Sequence, residues 1–290
     1  MGELLALLTA VLYSSAVILY KRSVAVVSPF ALNLFKNTVA LILLAVTALL
    51  IGQTQVFSIP FRHVVLMLAS GALGIGLSDT LFLMTLKRLG ASRTAVVDCL
   101  YSPFVILFSF LMFRETLQPL TLVGGTLIIG SVLLSAQRGF DSPLPRKSFW
   151  IGCSLGAAAM ATVAFAVVMV KPILNTYPLT LMNVIRMAGG LACLVVSLPF
   201  HPERKAVYAI LSPQRVWVWM LLGTFFGSYL AIITWLAGFK YAQAGTAALL
   251  NQTSTVFVVI LAAIFLGERM TRLKIVAVAM GFAGTAILFY

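Results

Sequence analysis

Acidic residues, histidines and cysteines are scarce in this chain: 7 Asp and Glu stand against 20 Lys and Arg, with 2 His and 3 Cys in 290 residues. Each shortage removes a class of function. Cys99, Cys153 and Cys193 each lie alone in an apolar stretch, so neither a disulfide framework nor a CxxC metal spacing exists; they read as small buried hydrophobes. His63 and His201 are isolated and form no ligand cluster. HExxH, GxSxG, CxxC and phosphate-loop patterns are absent, so catalysis finds no support and ATP-driven work by this chain alone is disfavoured. No metal or cofactor is expected. Charged residues make up only 9% of the chain, against about 25% in soluble domains.

Apolar residues take the remaining space. They account for 61% of the chain, and the mean hydropathy is +1.08. Soluble helices need polar outer faces, whereas here the apolar residues run all round the segments, so the medium that meets them is lipid. A net charge of +13 would suggest nucleic-acid binding in a soluble protein. The basic residues instead form short clusters between apolar stretches: Lys21-Arg22, Lys87-Arg88, Arg146-Lys147 and Arg204-Lys205. That is a membrane topology signal, and no basic run is interleaved with aromatics as in single-strand binders. The expected partners are a lipid bilayer and a small-molecule substrate, with no nucleic acid; the oligomeric state is left open. With Glu3 and no basic leader, the first apolar segment reads as a span and not as a cleaved signal.

A spanning helix needs about 20 mostly apolar residues. The gaps between charges give ten candidates, at 3–20, 29–51, 63–86, 94–113, 117–136, 148–170, 178–199, 214–239, 243–266 and 271–290. The runs are too long, and alternate too little, for barrel strands. Pro29, Pro60, Pro143, Pro145, Pro178 and Pro213 fall near predicted ends. The most polar connector, 137–147, lies between a first unit, 1–136, and a second, 148–290.

The two units repeat one another. Displaced by 150 residues, Gly2, Lys21, Asn33 and Lys36 fall on Gly152, Lys171, Asn183 and Arg186. Displaced by 153, Gly74, Lys87, Phe104 and Glu115 fall on Gly227, Lys240, Phe257 and Glu268, and Asp98 falls on Asn251. Five helices per unit is an odd number, so the second unit enters the membrane from the opposite side. The fold class expected is an all-α membrane protein of ten transmembrane helices in two five-helix inverted-topology repeats, an architecture of many secondary transporters.

Three segments carry a resemblance to the drug/metabolite transporter superfamily, in its EamA type. The first is a proline followed by a basic residue, in SPFALNLFKN (Pro29 to Lys36) and YPLTLMNVIRM (Pro178 to Arg186). The second is ASRTAVVDCLYSPFVILFSFLMFRETLQPLTLVGGTLIIG, and the third its copy AGTAALLNQTSTVFVVILAAIFLGERM. The copy has Val256 where the first has Pro103, so only one half keeps the proline-broken helix. The resemblance implies ten helices around a central cavity, alternating access and export of metabolites such as amino acids.

Ionisable groups inside spans cost roughly 3 kcal/mol on insertion scales and mark function by default. Asp98 and Asp79 are candidates for proton coupling or for holding a substrate amine; the structural alternative pairs them with Arg93 or Lys36. Lys36 and Arg186, at matching places in the two units, could anchor a substrate carboxylate or gate the cavity. The alternative, preferred for them, is snorkelling to the interface. Asn251, Gln252, Thr253, Ser254 and Thr255 cover more than a helical turn, so some should face a wet cavity; with Tyr101 and Ser102 they form the best substrate-site candidate. Tyr13, Ser14, Ser15 and Trp235 are weaker additions. Glu115 and Glu268 read as caps of the helix that follows each, and Gly71, Gly74, Gly76, Gly223 and Gly227 as close packing points.

With ten spans both termini share a side. Fourteen basic residues fall in loops opposite the termini and four on the terminal side, which places the termini outside the cytoplasm. The resemblance implies the reverse; the charge count is preferred because the loops are short and the bias large. The lack of a long soluble loop or targeting segment fits a bacterial inner membrane. The reading is a secondary transporter exporting small polar metabolites, driven by a proton or substrate gradient. Its rivals are an exchanger of nucleotide sugars or other phosphorylated solutes, and a lipid flippase or non-transporting scaffold.

Overall fold

A computed structural model describes residues 2–53, 59–114, 119–135, 137, 140, 144–173, 176–210, 214–241 and 250–288. Among these, all regular structure is helical. Helices α1 (Gly2–Val24) and α2 (Pro29–Leu50) are followed by α3, in which α-helix Phe61–Gly71 passes through a π-helical segment Ala72–Leu77 into Ser78–Leu89. Next come α4 (Ala91–Asp98), α5 (Tyr101–Phe113) and α6 (Pro119–Leu134). The rest comprises α7 (Arg146–Val170), α8 (Leu179–Ser197), the short α9 (Arg204–Ile210) and α10, again with a π-helical segment, Thr224–Leu230, between Val216–Gly223 and Ala231–Tyr241. Helices α11 (Ser254–Leu266) and α12 (Arg272–Leu288) complete it.

Among the described residues, seven helical stretches are long and apolar enough to cross a membrane: Gly2–Val24, Pro29–Leu50, Phe61–Leu89, Ala91–Phe113, Arg146–Ile173, Leu179–Phe200 and Val216–Trp235. Shorter apolar helices, Val123–Leu134 and Leu250–Leu266, stand where two more spans were expected, and α12 stands at the tenth place. Large apolar side chains such as Leu4, Leu50, Val196 and Ile264 face outward, more than 60% exposed, as lipid-facing residues do. Glu115, the start of the ninth expected span and most of the 137–147 connector lie outside the described residues.

Local chemistry sets the boundaries. Ser28 caps α2, its hydroxyl accepting from Ala31 N–H at 3.2 Å, and Pro29 takes the first helical position, where a missing N–H costs nothing. Gly90, at φ +86°, turns the chain from α3 into α4. Arg114 (φ +54°) and Gly267 (φ +68°), 153 residues apart, end α5 and α11 in left-handed conformations. The fourth expected span breaks at Cys99–Leu100, where Cys99 N–H and Leu100 N–H bond back only three residues, to Val96 and Val97. The corresponding helix of the second copy has no proline, yet it too is interrupted. Thr253 interrupts the helix there, its N–H bonding Leu250 O at 3.2 Å and Val256 N–H bonding Thr253 O at 3.0 Å. Tight turns of this kind need no proline.

Helices α3 and α8 approach closely at Gly71. An added Cβ on Gly71 would sit 1.7 Å from the Arg186 carbonyl oxygen, so only glycine permits this approach.

Candidate functional site

A cavity of about 390 Å³ opens between α1, α2, α3, α4, α5, α7, α8, α10 and α11. Lys36, Asp79, Asp98, Tyr101, Arg186, Asn251, Gln252 and Ser254, the residues singled out from the sequence, all line it, as do Tyr13, Ser102 and Trp235. Ser14 and Ser15 do not. Ser14 is buried and donates to the carbonyls of Ala10 and Ser254, and Ser15 donates to Val11 O. The walls between these polar groups are apolar, formed by Phe82, Leu83, Met160, Val163, Met187 and Val258.

Lys36 and Asp79 are ion-paired, with side chains 6% and 32% exposed. The structural alternative for Asp79 is therefore the arrangement found. Snorkelling is not: Lys36 and Arg186 are both buried at the cavity, because each finds polar partners inside the bundle. Lys36 Nζ also donates to Asn37 Oδ1 at 3.2 Å. Asn37 Nδ2 donates to Asn33 Oδ1 at 2.8 Å, and Asn33 Nδ2 reaches Ile75 O (3.1 Å), Gly76 O (3.0 Å) and Thr80 Oγ1 (2.9 Å). The π-helical turn disrupts the ordinary ladder at these carbonyls, and Asn33 satisfies them. One asparagine thus ties α2 to the turn that aims Asp79 at Lys36. Asn33 was visible in the sequence as the match of Asn183, a cavity-lining residue, but a role for it was not drawn.

Arg186 Nε donates to Ser70 Oγ at 3.1 Å, and that hydroxyl donates to Ala166 O at 2.7 Å. Among the described residues no carboxylate lies within 4.0 Å of this guanidinium. An added Cβ on Gly74 would stand 3.7 Å from Nη2, an ordinary contact, and 3.1 Å from the Ala166 Cβ on α7.

Asp98 and Asn251 sit at the breaks of two corresponding helices. Among the described residues, Asp98 Oδ1 is buried without a hydrogen-bond partner, as are both Oδ1 and Nδ2 of Asn251. Arg93, the partner considered for Asp98, turns away, its Nε donating to Ser135 O at 3.2 Å. Gln252 Nε2 donates to Cys99 Sγ (3.3 Å) and Thr255 Oγ1 (3.2 Å). Among the described residues the cavity therefore holds one neutralised pair, one guanidinium with no carboxylate within 4.0 Å and one carboxyl group whose Oδ1 has no hydrogen-bond partner, with a carboxamide beside the breaks that offers both a donor and an acceptor.

Glu268 corrects a further expectation. It caps α4 of the first unit, not the helix that follows it, accepting from Ala91 N–H at 3.0 Å and Ser92 N–H at 3.3 Å.

Residues 1–137 and 150–290 match the EamA-like transporter family. The chain belongs to that family. As an EamA-like protein it is a membrane transporter of the drug/metabolite superfamily. Comparison with curated proteins finds no match. Twenty-two chains of solved structures match this chain. One, described only as a crystal structure of a protein, superimposes with TM-score 0.71 at 19% identity, over 99% of this chain and 95% of its own. At that identity the likeness concerns the fold alone.

Proposed function

We propose that this chain is a secondary transporter that exports small polar metabolites by alternating access, with amino acids as the first substrate class. The observation that carries the reading is the pairing of complementary groups in one cavity: the Asp98 carboxyl and the Arg186 guanidinium, neither with an ion-pair partner among the described residues, between apolar walls. A buried charge or an unsatisfied polar group is costly. An amino acid brings an ammonium group for Asp98 and Asn251, a carboxylate for Arg186 and a side chain for the apolar wall. A proton neutralises Asp98 equally well. Substrate ammonium and proton then compete for one carboxylate, so inward movement of a proton drives outward movement of the solute.

In this reading the chain is two five-helix halves, 1–136 and 148–290, joined by 137–147 and inverted in the bilayer. Three features support it by recurring 153 residues apart or within a residue of that: the π-helical segments, the breaks at Cys99–Leu100 and Thr253, and the left-handed caps at Arg114 and Gly267. Inverted repeats with discontinuous helices at the binding site are a known transporter design. The bias of basic loop residues supports termini outside the cytoplasm of a bacterial cell. The phosphorylated-solute reading is weakened because Lys36 is engaged by Asp79, which leaves one cation for a multiply charged anion.

The test is counterflow in proteoliposomes with labelled amino acids, nucleosides and sugar phosphates, with and without a pH gradient. Amino acids are expected to exchange, with accumulation following the gradient. Exchange indifferent to pH removes the coupling role of Asp98; exchange of sugar phosphates alone overturns the substrate class.

A further inference from the structure

At the end of the bundle that holds Lys21, Arg22 and the α3–α4 turn, distant parts of the chain meet. Helix α4 starts behind Gly90, and its first N–H groups have no partner within the helix. The Glu268 carboxylate, in the connection between α11 and α12, accepts from the N–H groups of Ala91 and Ser92 and from the Ser92 hydroxyl. Lys274, fully buried, pairs with the same carboxylate at 3.2 Å.

The connector between the halves is fastened at the same place. Phe140 is fully buried, with the Arg93 guanidinium 5.5 Å and Lys274 Nζ 5.7 Å from its ring centroid. Its carbonyl accepts from Thr271 Oγ1 at 3.1 Å. Buried Leu89, Val96, Val97, Val259 and Val278 pack around the same elements. No cavity-lining residue comes from 86–94 or from 259–274, so the cavity stops short of this cluster.

We propose that Glu268 is the latch that holds the cavity closed at this end, and that access from this face requires its carboxylate to leave the start of α4. The charges make such a movement feasible. Lys274 lies six residues beyond Glu268 in the same segment, so the two travel as a neutral pair and neither is left buried alone. What remains on α4 is a helix start with free donors, which water entering the opened cavity satisfies.

The test needs no substrate, so failure of the latch and failure of the transport reading are separable. Cys99, Cys153 and Cys193 are replaced by Ala, Ser254→Cys is introduced in the cavity, and the protein is reconstituted in liposomes. A membrane-impermeant maleimide is then applied from each face in turn. Without further change, labelling from the face of Lys21 and Arg22 is expected to be slow. Glu268→Gln is expected to raise its rate at least tenfold while labelling from the opposite face persists, which also reports a folded protein. An unchanged rate from the latch face in a variant still labelled from the other face overturns the proposal. Should Glu268→Gln fail to fold, Ser92→Ala, which removes one of the three donors, is read instead: a two- to fivefold rise is expected, and no rise overturns the latch.

Discussion

Lys36 on α2 and Asp79, just past the π-helical turn of α3, neutralise each other in the cavity wall. Breaking a buried pair from one side leaves an uncompensated charge, at about 3–5 kcal/mol, and water reaching the one-third-exposed Asp79 lowers this to roughly 2–3 kcal/mol. Asp79→Asn is therefore expected to lower the thermal midpoint of the detergent-solubilised protein clearly. Lys36→Met combined with Asp79→Leu is expected to recover most of it. A double-mutant cycle with no coupling between the two positions would show that the pair contributes nothing.

Asp98→Asn keeps the size of the side chain and removes its charge. Stability is expected to hold, since no partner is lost. Amino-acid counterflow is expected to fall at least tenfold, which corresponds to about 1.4 kcal/mol, and the response to a pH gradient to vanish. Counterflow and pH response both at the parental level would remove Asp98 from binding and coupling alike.

Gly71→Ala tests the α3–α8 approach. Its Cβ would meet the backbone of Arg186, which cannot swing aside, so a loss of roughly 1–3 kcal/mol is expected from overpacking. Gly125→Ala is the control: nothing lies within 4 Å of its added methyl, and a change inside about 0.5 kcal/mol is expected. Equal losses at both positions would point to helix flexibility and not to contact. The readout is thermal denaturation of the purified protein.

The orientation inferred from loop charge is checked by fusions after Tyr290. A reporter fluorescent only in the cytoplasm is expected to stay dark, and a phosphatase active only outside it to be active. The reverse pattern would show that the family expectation outweighs the charge bias.

The sequence made the helices legible because lipid tolerates so few charges, and the gaps between charges marked the apolar runs. It misplaced ends where helices run past a charge. The charge of Arg93 marks a border before 94 in the sequence, yet α4 starts at Ala91 and Arg93 folds inward over Phe140. The break near Asp98 could be read from Pro103; its counterpart at Thr253 could not, because short backbone bonds make it without a proline. The cavity residues were legible as polar groups inside apolar runs. Their division into a closed pair, Lys36 with Asp79, and two groups outside it, Asp98 and Arg186, was not, since it depends on which helices meet. Glu268 shows the same limit: its nearest helix in the chain is α12, but the tertiary fold gives it to α4.

The π-helical turn of α3 also fixes a phase. A π turn accommodates one residue beyond the regular helix, and one residue is about 100° of rotation at 3.6 per turn. Everything from Ser78 onward is thereby rotated relative to the first part of α3, and Asp79 meets Lys36 only in that register. A helical wheel drawn straight through 61–89 misassigns half of its faces. Deleting a single residue between Ala72 and Leu77 would behave like a reading-frame error in three dimensions, leaving a helix of sound composition whose carboxylate points at the wrong neighbour.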